Sequence, residues 1–109
     1  MEKLLLEWDE KSIEIKELVR KVKETLADRP VPKSIRDSLV NFDRSIASYA
    51  QAVNSDDIEK IAQAAKMVAV YGQIVAQAIP NFKEADEKLK HLGNDLLQLS
   101  NEFRSKVEV

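Results

Sequence analysis

Apolar residues recur along almost the whole chain at alternating intervals of three and four. Leu5, Trp8, Ser12, Ile15, Val19, Val22 and Leu26 form the first row, with one polar member. This spacing places them on one face of a helix. Leu4 and Leu18 widen the stripe toward the broad face a bundle requires, so a helix is predicted from about Lys3 to Ala27. A second row reads Ile35, Leu39, Phe42, Ile46, Tyr49 and Val53. A third reads Ile58, Ile61, Ala65, Val68, Gly72, Val75 and Ile79, with Ala62, Ala69 and Ala76 alongside. The fourth runs Phe82, Ala85, Leu89, Leu92, Leu96, Leu99 and Phe103.

Punctuation falls between the rows. In Asp28-Arg29-Pro30-Val31-Pro32 each proline lacks an N–H and disfavours helical geometry in the residue before it, while Pro32 suits the first turn of the next helix. Asn54, Ser55 and Asp56 are candidate N-caps for the third helix. Pro80-Asn81-Phe82-Lys83-Glu84 reads as a stop followed by a capping box, with Asn81 bonding forward and Glu84 back. Four helices of similar length joined by short connections predict an antiparallel up-down-up-down four-helix bundle, all-α, spanning residues 1–109 as a single helical domain. A helix-swapped dimer would leave the same pattern.

Composition narrows the function more than the fold. Two glycines and three prolines in 109 residues leave too little turn chemistry for an all-β fold. With 17 basic and 19 acidic side chains and a net charge of −2, the chain has no overall field that would draw it to DNA or an acidic membrane. Cysteine is absent, which excludes thiolate catalysis and thiolate zinc sites. Leu4-Leu5-Leu6 is too short a run for a signal peptide, and the stretch from Met67 to Ile79 is too short to span a bilayer. The expectation is a cytoplasmic protein without a membrane partner.

His91 is the only histidine. Histidine phosphotransfer domains are small four-helix bundles with one exposed histidine, but they carry a lysine three residues later and a glycine four later. Asn94 and Asp95 occupy those positions here, and a carboxylate one turn away repels a phosphoryl group. A di-iron site needs a Glu-x-x-His pair on each of two helices, whereas Glu87 and His91 are four apart and no second histidine exists. No metal, cofactor or catalytic residue is therefore expected. Ser12 reads as a small core-edge residue bonded to its own helix.

Two surface features remain. Lys16, Arg20, Lys21, Lys23, Arg29, Lys33 and Arg36 gather around the first turn, among Glu17, Glu24 and Asp28, and such a corner could track a nucleic-acid backbone. It has no stacking aromatics or recognition-helix motif, and pairs such as Glu17–Lys21 would neutralise part of it. On the third helix, Met67, Val70 and Ile74 lie opposite the core row, where the other helices are polar. That helix is apolar around nearly its whole circumference, so it is either central or an interface. In the second case Gln63, Gln73, Gln77, Lys60 and Lys66 rim an apolar patch of the kind found at protein contacts.

The segment Asp28-Arg29-Pro30-Val31-Pro32-Lys33-Ser34-Ile35-Arg36 resembles the Asp-x-x-Val-Pro-Arg-Asn-Ile-Arg stretch that joins two helices in an uncharacterised archaeal family of small helical proteins. Asp28, Val31, Pro32, Ile35 and Arg36 match, and Lys33 is a conservative change. The family's second stretch, a proline followed by His-Thr-Arg, has no counterpart here. The resemblance implies helical architecture and no activity. The sequence therefore predicts a non-enzymatic interaction protein that forms a homodimer or docks on another protein through the outer face of the third helix. The alternative is a nucleic-acid accessory protein using residues 16–36.

Overall fold

The computed structural model describes residues 2–27, 30–82 and 85–107. Asp28, Arg29 and Glu84, which the sequence reading placed in a helix connection and a capping box, lie outside them. Four helices follow one another: α1 (Glu2–Leu26), α2 (Lys33–Val53), α3 (Ile58–Ala78) and α4 (Glu87–Val107), with a short 3-10 turn, Ile79–Asn81, after α3. Together they form a rod of 43 × 20 × 18 Å, as expected for helices rising about 1.5 Å per residue.

Cross-helix pairs show that neighbours are antiparallel. Lys11 bonds Glu102 at 3.3 Å and Lys106 pairs with Glu7 at 3.7 Å. Gly72 faces Ser100 and, seven residues on, Ile79 faces Gly93. The bundle is skewed. Helix α3 packs along both α2 and α4 and also reaches α1 across the diagonal, while α1 lies along α4 and scarcely approaches α2, its neighbour in sequence.

The core has two parts. Trp8, Ile15, Val19, Phe42, Tyr49, Ile61, Val68, Val75, Leu96 and Phe103 fill one, and Val22, Leu26, Ile35, Ile79, Phe82 and Leu89 close the end that holds the α1–α2 and α3–α4 connections. The predicted rows of α1, α2 and α3 supply most of it. Buried Ser12, Ser38 and Ser45 tolerate the interior because each hydroxyl donates to the carbonyl three residues back, at 2.6–2.9 Å, which satisfies the donor locally.

Several ends differ from the sequence reading. The N-cap of α3 is Asp57, whose carboxylate accepts from the Glu59 and Lys60 amides at 3.1 and 3.4 Å. Asp56 precedes it in the left-handed region at φ 60°, a conformation aspartate tolerates, so the turn is one residue longer than expected. Pro32 sits at the N-cap of α2, its carbonyl accepting from the Ile35 and Arg36 amides. Helix α4 starts at Glu87 because the Asp86 side chain accepts from the Leu89 amide at 2.9 Å. Phe82 and Ala85 therefore belong to the connection, where Phe82 is buried as a plug rather than lying on a helical face.

Candidate interaction surfaces

Helix α3 comes closest to its neighbours where its side chains are smallest. A Cβ built on Gly72 would overlap the Ser100 hydroxyl, and one on Gly93 would sit 3.2 Å from Ile79 Cδ1. With Ala65, Ala69 and Ala76 also buried, α3 beds against α2 and α4 and touches α1, so most of its apolar circumference serves the core. A strip stays outside. Met67 and Ile74 are 38% and 41% exposed, Val70 between them is half-buried, and Gln63 and Gln77 flank them in solvent. The expected patch is thus present but narrower than its three members suggested, since Val70 is only half-exposed. Gln73 is drawn toward α4, where it bonds Asn101 and accepts from Arg104 at 3.1 Å.

The basic corner is largely paired. Arg20 is clasped by Glu17 and Glu24 on its own helix. The hydrogen bond from Arg20 holds the Glu17 carboxyl below its ordinary range, and Glu17 in turn raises the Arg20 guanidinium. Lys23 reaches across to Asp43 at 2.6–2.7 Å. Lys16, Lys33 and Arg36 are exposed, and Arg29 lies outside the described residues. Positive charge is thereby spread among carboxylates instead of forming one continuous face.

The seam between α1 and α2 has another character. Phe42, Ile46, Tyr49 and Val53 from α2 face Ser12, Ile13, Lys16 and Val19 from α1 across two adjoining hollows of about 360 and 320 Å³. The Lys23–Asp43 pair ties one end. At the other, the Tyr49 hydroxyl donates to Asp9 at 2.6 Å, and burial together with that carboxylate pushes the phenol well above its usual range.

The sequence reading missed the most exposed large apolar side chains among the described residues, Ile13 at 65%, Leu6 at 59% and Val40 at 49%. Their signal was legible, because Leu6 and Ile13 stand seven apart on the polar side of the α1 row. His91 and Asp95 are both exposed on α4, and Ser12 is bonded to the Asp9 carbonyl. Among the described residues no cluster of acidic or histidine side chains is arranged to hold a metal, and no helix is long and apolar enough to cross a membrane. No protein-family model, curated protein or solved structure matches this chain.

Proposed function

We propose that this chain is a non-enzymatic helical interaction protein that docks onto another protein through the outer strip of α3. The observation that carries this reading is the exposure of Met67 and Ile74 on a helix whose other sides are already packed by three neighbours. Apolar side chains in a row, rimmed by Gln63 and Gln77, match the centre and edge of a protein contact. The nucleic-acid reading is weaker, because Arg20 and Lys23 are engaged by carboxylates and would have to exchange them for phosphates.

Replacing both Met67 and Ile74 with lysine tests the proposal. Each new ammonium lies in water while the chain is alone, so helicity and thermal midpoint stay near the parent's. In a contact the same charges would be buried without partners. The expected result is a folded variant that loses a companion cross-linked to the parent in extracts of its native cell. A folded variant that keeps every companion overturns the proposal, and so does binding to nucleic acid that weakens steeply with salt.

A further inference from the structure

The hollows on the surface differ in charge. Two along α1 and α4 have Glu14, Glu17, Asp95 and Glu102 in one wall set and Glu24 in the other. The two between α1 and α2 include Asp43 and Asp9. A further hollow, of about 550 Å³, has no carboxylate in its walls. It lies along the outer side of the α3–α4 seam, beside the 3-10 turn. Buried Ala76, Ile79 and Gly93 form its floor, and Pro80 and Leu97 add apolar walls.

Its polar groups are few. Gln77 on α3 and Asn94 on α4 stand exposed on opposite rims, and each carboxamide can donate hydrogen bonds. Lys90 is the single charged residue of the lining and has no ion-pair partner among the described residues. Asp86 and Glu87, one turn before it, are not in the walls. Asp86 instead accepts from the Leu89 amide, and the positive start of α4 offsets both carboxylates. Helix α3 adds no acid, because the sequence from Lys60 to Phe82 holds neither Asp nor Glu. In a chain with a net charge of −2, this hollow is locally cationic.

Such a lining selects its occupant. An apolar floor takes a hydrocarbon body, and the volume is that of a small-molecule site. One ammonium matches one negative charge, and two donating carboxamides suit the lone pairs of a carboxylate. A phosphate dianion would leave a second charge unpaired beside apolar walls. We propose that the α3–α4 hollow binds a small amphipathic monocarboxylate of the fatty-acid kind, its chain over Ile79 and Leu97 and its carboxylate held by Lys90, Gln77 and Asn94. The site is separate from the outer strip of α3, since neither Met67 nor Ile74 lines it.

Decanoate is the probe, added below its micellar concentration to isotope-labelled protein and followed by amide NMR. Saturable shifts should concentrate on the Gln77 and Asn94 carboxamides and on the backbone amides of Ala76, Gly93 and Leu97. Lys90→Gln, an exposed change that leaves circular dichroism unaltered, should weaken binding by roughly fivefold, while Lys90→Arg retains it. Lys88→Gln, which alters a different hollow, should have no effect. Decyltrimethylammonium, with the same chain and the opposite charge, should leave these amides unshifted. Equal binding of the two amphiphiles, unchanged affinity in Lys90→Gln, or shifts scattered over the molecule overturns the proposal. Amides that ignore millimolar decanoate overturn it too, and if they respond to an acidic helical peptide instead, the hollow is a protein contact.

Discussion

The seam between α3 and α4 and the seam between α1 and α2 solve the same packing problem in opposite ways. Along the first, Gly72 receives the Ser100 side chain and Gly93 that of Ile79, so an added methyl group would overlap the Ser100 hydroxyl at one and press on Ile79 at 3.2 Å at the other. Along the second, Phe42, Ile46 and Tyr49 stand between the helices, hollows remain, and two polar ties bridge them. Helix separation follows the size of the side chains at the contact. A seam of small residues is therefore specific and intolerant, while a seam of large ones leaves accessible surface.

The sharpest way to break this contrast is Gly72→Leu. A bulky side chain in the close seam should lower stability by about 1–3 kcal/mol or more, read as a lower denaturation midpoint. An unchanged midpoint would show that the seam can open. On the wide side, Tyr49→Phe removes a hydrogen bond to a carboxylate and should cost about 1.5 kcal/mol near neutral pH. The folded phenol titrates above its unfolded value of about 10. Its contribution is thus complete below roughly pH 10 and is lost as the pH rises from there. Urea titrations at increasing alkalinity should show the parent losing stability faster than Tyr49→Phe. Parallel curves would mean that the tie to Asp9 does not form.

A smaller effect probes the notch itself. The Ser100 hydroxyl is fully buried and finds no hydrogen-bond partner among the described residues, so Ser100→Ala should stabilise the fold by about 1 kcal/mol. Gly72→Ala should destabilise the parent. In the Ser100→Ala background it should be neutral or better, because the two remaining neighbours, Ile15 Cγ2 and the Cβ at position 100, each lie 3.5 Å from the added methyl and alanine favours helix. Additive effects in this double-mutant cycle would refute the proposed contact. Last, Lys23→Ala removes an exposed pair and should shift stability by less than about 0.5 kcal/mol. A larger loss would mean that the wide seam depends on its ties.

Much of this architecture was legible because Ile15, Val19, Val22, Ile61, Val68 and Val75 are both strongly apolar and regularly spaced. Hydropathy has no sign for a small residue whose burial depends on what faces it. Ser38, Ser45, Gly93 and Ser100 were invisible for that reason. Helix α4 is turned so that Gly93 and Ser100 join Leu89, Leu96 and Phe103 inside, leaving Leu92 and Leu99 half-covered. The start of α4 was misplaced because Phe82 and Ala85 continue the helical spacing while Asp86 sets the actual boundary. On the surface, Met67 and Ile74 could be read as facing outward. The partial burial of Val70 could not, since periodicity fixes a face and not its neighbours.

The skewed position of α1 also bears on how the chain reaches its fold. Helices α2, α3 and α4 pack against partners adjacent in sequence, so two local hairpins can form without closing long loops. Helix α1 instead finds its main partner in α4, with Lys11 meeting Glu102 across 91 residues. Closing that span carries the largest chain-entropy cost in the molecule, and contacts of this range slow folding. Substitutions beneath α1, such as Ile15→Val beside Gly72 of α3, should accelerate unfolding far more than they slow refolding, and the α1 amides should be the last to gain protection in pulsed hydrogen exchange.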